Sequence, residues 1–263
     1  MNRQLTLSRI DSAPGSLLRE RRHYQLETLR PIVCLIYVLP FLLVYELGVV
    51  FLDNQSIRNG LDVWLSGFLD WIGAGEILVL PLLTTVILFW IHHRRRDHWR
   101  VRPLVLAGMT IESLGLALIV LWAARAQQLF LLEYTDPSLP LMTLSSENGS
   151  AARPLSWATF VSFCGAGLYE ELVFRLMLLP ILIIVFVKLG VNRVGAILIA
   201  VALTSLLFAA AHYEFLNPAG RPFELTGFMV RVVASAFFCM VFLIRGFGVA
   251  VGTHVAYDVL VQF

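Results

Sequence analysis

The stretch Tyr169-Glu170-Glu171-Leu172-Val173-Phe174-Arg175 sets three charges between one apolar run at residues 157–168 and another at residues 176–187. Ionisable groups at membrane depth are costly unless paired, so they mark functional sites. On a helix, Glu171 and Arg175 are four apart and share a face, while Glu170 is turned by roughly 100° from Glu171. One carboxylate can therefore pair with the arginine and leave its neighbour for chemistry.

The rest of the chain places that stretch in a bilayer. Of the 263 residues 58% are hydrophobic and 14% charged, and the mean hydropathy is +0.78, outside the range of soluble domains. The reading is an all-α fold, a polytopic membrane helix bundle of about eight transmembrane helices. Spans are expected at residues 31–52, 76–91, 103–124, 155–174, 176–189, 195–212, 225–244 and 247–263. The first apolar run begins at Pro31 and is long enough to cross, so it reads as a membrane helix and not a cleaved leader. A net charge of +2, with the basic residues gathered in loops, excludes a nucleic-acid partner. Cys34, Cys164 and Cys239 each lie in an apolar run without metal-ligand spacing and read as inert buried thiols.

Three regions follow from this pattern. Residues 1–30 carry six arginines against three acids and read as a cytoplasmic segment. Residues 31–154 hold the N-terminal spans. They include an interfacial helix at residues 53–75, where Leu61, Trp64, Leu65, Phe68, Leu69 and Ile72 recur at helical spacing, and an extracytoplasmic loop at residues 125–154. Residues 155–263 form the helix bundle that carries the charged stretch. The loop at residues 92–102 has five arginines and one aspartate, so it and the N-terminus are expected in the cytoplasm. Eight crossings then return the C-terminus there and place the glutamates near the cytoplasmic face.

With this topology Glu170, Glu171, His212, His254 and Asp258 fall at similar depth on three separate spans. Convergence of that kind is what one site requires. A carboxylate beside an imidazole can hold a water and remove its proton, which assigns Glu170 and His212 to water activation. His254 would face the scissile carbonyl, and Asp258, one turn away, would set which ring nitrogen carries the proton. Phe208, one turn before His212, reads as packing. Arg231 lies some 10 Å into its span, within snorkelling reach, with contact to a substrate carboxylate as the alternative. Glu46 and Glu112 also lie inside apolar runs and find no role in the sequence.

At these residues the chain resembles the CPBP family of intramembrane proteases, the family of CAAX prenyl protease 2 and of the Abi proteins. Its motif Glu-Glu-x-x-x-Arg is met by Glu170, Glu171 and Arg175, its Phe-x-x-x-His by Phe208 and His212, and its His-x-x-x-Asn/Asp by His254 and Asp258. The resemblance covers roughly the last 110 residues. It implies a glutamate-type intramembrane endopeptidase that needs no cofactor, with Glu171, Arg175 and Phe208 as supports of the site. It also implies a membrane-associated protein or peptide substrate, such as a C-terminal tail or sorting signal, in a bilayer such as a bacterial inner membrane. Asp258 stands where several relatives have asparagine, and an ionised aspartate cannot donate to an oxyanion. Asp258 therefore fits an orienting role. A zinc-dependent version built on His212, His254 and a glutamate is the metal alternative, although no His-Glu-x-x-His spacing is present. A non-catalytic scaffold or immunity protein with the same cavity is the alternative from another class.

Overall fold

A computed structural model describes residues 23–52, 79–135, 155–214 and 220–263. The expected interfacial helix at residues 53–75, the first 22 residues and most of the loop at residues 125–154 lie outside these. In hydrocarbon every backbone N–H and C=O must be satisfied within the chain, and the apolar runs accordingly fold as helices. They are α1 (Pro31–Leu52), α2 (Val79–Arg95), α3 (Pro103–Thr135), α4 (Trp157–Glu170), a π-helical segment (Glu171–Leu178), α5 (Leu179–Lys188), α6 (Arg193–Ala210), α7 (Leu225–Arg245) and α8 (Phe247–Val261). Ser156 caps α4 by accepting from the Thr159 N–H at 3.0 Å, and Asn192 caps α6 by accepting from the Gly195 N–H at 2.9 Å.

The protein is a membrane protein with an all-α bundle. Among the described residues four helices, Pro31–Leu52, Pro103–Leu131, Arg193–Ala210 and Leu225–Arg245, are long and apolar enough to cross a bilayer. Large apolar side chains also point outward, among them Leu104 at 85% exposure and Trp122 at 76%. In water a surface of this kind would drive association, whereas lipid solvates it.

Two boundaries differ from the expectation. Helix α3 runs on to Thr135, because Leu129, Phe130 and Leu131 extend the apolar helical pattern past Arg125. The spans expected at residues 155–174 and 176–189 are joined: α4, the π segment and α5 follow one another with αR backbone at each junction. They form a single rod of about 48 Å. Pro180 falls in the first turn of α5, just after the π segment, where the change of step already takes backbone groups out of the regular ladder.

The core is built around α8, whose residues from Phe247 to Val255 are all buried. Val249, Ala250 and Val251 pack with Val33, Cys34, Tyr37 and Val38 of α1, Met109 of α3, and Leu168 and Leu172 of the long rod. Cys34, Cys164 and Cys239 are free thiols buried in the bundle. Two glycines set the close approaches. Gly246 alone separates α7 from α8; its φ of +88° favours glycine, and an added Cβ would lie 3.2 Å from the Thr28 carbonyl oxygen. At Gly167 a Cβ would lie 2.5 Å from Val255, so α4 and α8 are in backbone contact one turn before the glutamate pair.

The helix ends also fix where the site lies. Arg30 donates to the carbonyls of Arg100 (2.9 Å) and His98, Arg95 donates to that of Leu29, and Gly246 abuts Thr28. The start of α1, the arginine-rich loop and the α7–α8 junction therefore gather at one end of the bundle. The rods alternate from there, and α6 ends toward the opposite face.

Candidate active site

Glu170 lies 20 residues before Gly190 and His212 lies 22 after it. Since α5 and α6 fold back on each other about that turn, equal rise brings both residues to one depth. The π segment begins at Glu171. Its widened turn is a recurrent feature of functional sites, and it holds two adjacent carboxylates in different directions.

Glu171 turns into the protein. It is fully buried, its Oε1 lies 3.1 Å from Arg175 Nη1, and the same oxygen accepts from His254 Nδ1 at 2.8 Å. Arg175, also fully buried, reaches on to α7 and donates from Nη2 to Ser235 Oγ at 3.0 Å. Aromatic rings enclose its guanidinium, with Phe208 at 4.4 Å and Phe238 at 5.5 Å. Phe238 also stacks on the imidazole of His254, with centroids 4.7 Å apart and planes 13° from parallel. A relay from Ser235 through Arg175 and Glu171 thus fixes the tautomer of His254, and Phe238 fixes its plane. With Nδ1–H donated to Glu171, Nε2 is the ring atom that faces the pocket.

Glu170 turns toward that pocket. Its Oε2 lies 3.7 Å from His254 Nε2 and 3.9 Å from His212 Nε2. His212 makes a 2.8 Å hydrogen bond through Nδ1 to the Phe208 carbonyl, one turn back. Its Nε2 is left toward Glu170. Asp258 Oδ2 stands 3.7 Å from His254 Nε2. Side-chain exposure rises from 0% at Glu171 to 21% at Asp258 and 31% at His212. The exposed side of the cluster is thus the one formed by the C-terminal half of α8 and the end of α6.

All seven residues singled out in the sequence meet here, with two changes of role. The contact that orients His254 through Nδ1 comes from Glu171, and Asp258 faces the other nitrogen. Joining the two expected spans into one rod places the glutamate pair about midway along it, at the level of His254, which is itself about halfway along α8. Among the described residues no three His, Cys, Asp or Glu side chains are placed to hold a metal ion.

Sequence reading missed Ser235 and Phe238, which carry no motif and sit in an apolar run. It also left Glu46 and Glu112 without roles. Tyr169 donates its hydroxyl to Glu46, next to the glutamate pair. Glu112 takes two hydrogen bonds from Arg245, at 2.5 and 2.7 Å, and a third from Tyr24 at 2.8 Å. Half of the signal was available there: an acid inside an apolar span, as Glu112 is, is driven to pair with a base, and Arg245 lies just past the end of the neighbouring expected span.

Residues 152–260 match the family model described as Type II CAAX prenyl endopeptidase Rce1-like. The matched segment contains the entire constellation and supports an intramembrane protease of the CPBP family. No match to the chain was found among curated proteins or solved structures.

Proposed function

We propose that the chain is an intramembrane peptidase of the CAAX type that hydrolyses its substrate with a glutamate-activated water. The supporting observation is the division between the neighbouring glutamates: Glu171 is locked into an ion pair, while Glu170 faces two imidazole Nε2 atoms at 3.7 and 3.9 Å. Those separations exceed a hydrogen bond and suit groups that meet through a water. In the proposed reaction His212 Nε2 and Glu170 hold the water, and Glu170 takes its proton as oxygen attacks the scissile carbonyl carbon. His254 enters with a proton on each nitrogen, one donated to Glu171 and the other to the oxyanion. The C–N bond then breaks as Glu170 passes its proton to the leaving nitrogen. Asp258 stands beside His254 Nε2 and favours the imidazolium during this step.

The substrate is proposed to be a membrane-associated protein or peptide with a prenylated C-terminal tail. The wild-type protein in nanodiscs should cleave a farnesylated tail peptide, and mass spectrometry of the products identifies the bond cut. Glu170→Gln should reduce the rate by roughly 10²–10⁴-fold, the usual worth of a positioned base. Cleavage at the wild-type rate by that variant would remove Glu170 from the mechanism. A scaffold that acts through the same cavity instead predicts no cleavage by either protein.

A further inference from the structure

The structure assigns a role to Arg231: we propose that its guanidinium binds the terminal carboxylate of the substrate's tail, an inference that rests on the peptidase reading above. Arg231 lies in the second turn of α7, half-buried, and uses a single nitrogen for its contacts within the protein. Nη1 donates to the Tyr213 hydroxyl at 3.1 Å and to the Gly227 carbonyl at 3.1 Å. Tyr213 is buried, follows His212 directly, and anchors its own hydroxyl on the Glu224 carbonyl at 3.2 Å. The guanidinium also lies over the Tyr213 ring at 5.5 Å. The residue next to the water-holding histidine therefore holds the arginine.

The charge is not spent inside the protein. Among the described residues Arg231 makes no ion pair, in contrast to Arg175 and Arg245, each of which is paired with a glutamate. Glu224 stands across Gly227 without closing an ion pair on it. Both recorded hydrogen bonds leave from Nη1, so the edge formed by Nε and Nη2 remains for a ligand. That edge matches a carboxylate through two parallel N–H···O bonds. A snorkelling arginine would direct its charge to lipid headgroups. Here the phenol and the backbone carbonyl hold it beside the pocket, which favours a carboxylate delivered by the substrate over a lipid phosphate.

The test uses one farnesylated tail peptide made in two forms, with a free C-terminal carboxylate and with a C-terminal amide. Binding to the Glu170→Gln protein and cleavage by the Glu170-containing protein are both measured in nanodiscs of phosphatidylcholine. The acid should bind about 10- to 100-fold tighter than the amide, the range expected for a charge-assisted pair. Arg231→Gln should bring the ratio close to one through KM, with kcat for the amide unchanged, and Arg231→Lys should restore part of it. An acid-to-amide ratio that survives Arg231→Gln overturns the assignment, as does a variant that weakens both peptides equally. A loss of binding that appears only when anionic lipid is added or removed assigns the arginine to headgroups and also overturns it. Because the binding arm needs no turnover, preserved acid preference without cleavage would refute the peptidase reading alone.

Discussion

Glu170 and Glu171 are neighbours in sequence and opposites in surroundings. Glu171 has no exposure and shares one oxygen between Arg175 and His254, whereas Glu170 faces two imidazoles across gaps wider than a hydrogen bond. The difference shows how one turn of helix supplies both halves of a site. The widened π turn sends one carboxylate into a closed relay that fixes His254, and leaves the other at the pocket where it can exchange a proton. The Glu112–Arg245 pair of α3 and α7 offers a second contrast. It closes on itself and on Tyr24.

The comparison can be broken in order of effect. Glu171→Ala leaves Arg175 as an unpaired buried charge, and should destabilise the fold by about 3–5 kcal/mol, read as a lowered unfolding midpoint in detergent. Replacing both partners, as Glu171→Gln with Arg175→Met, should recover much of that stability while activity stays low, since His254 loses its orienting partner. Glu112→Ala should destabilise by about 1–3 kcal/mol, less than at Glu171 because the Glu112 side chain is 25% exposed, while activity per folded molecule is kept. If Glu112→Ala abolished turnover in folded protein, the division between site and staple would be wrong. Phe238→Leu removes the ring stacked on His254, a contact of about 0.5–1.5 kcal/mol, and should lower kcat by up to about tenfold with little change in KM.

The all-α membrane class was legible because composition and run length decide it, and the site was legible because charges inside apolar runs are rare enough to single out. Glu170, Glu171 and Arg175 stand out for that reason, as do His212 and His254. What sequence did not show follows from tertiary packing. Ser235 and Phe238 are ordinary residues of an apolar helix, and only the crossing of α7 over Arg175 and His254 gives them work. The continuous rod from Trp157 to Lys188 was hidden by the charges at its centre, which read as a boundary although the π turn absorbs them. That misplaced turn carried the sidedness with it. With the rod continuous, the arginine-rich loop and the end of α6 lie at opposite ends of the bundle. Single cysteines at Arg96 and Glu214 should label from opposite sides of an intact membrane, and labelling from the same side would refute the helix alternation described above.

The central claim is tested most directly by placing Glu170→Gln and Glu171→Gln side by side in nanodiscs, with turnover of the farnesylated peptide and the unfolding midpoint measured on each. The account predicts that Glu170→Gln keeps the wild-type midpoint and loses at least about 10²-fold in kcat, while Glu171→Gln loses stability as well as activity. A Glu170→Gln protein that still turns over normally, or a Glu171→Gln protein as stable as wild type, would contradict it.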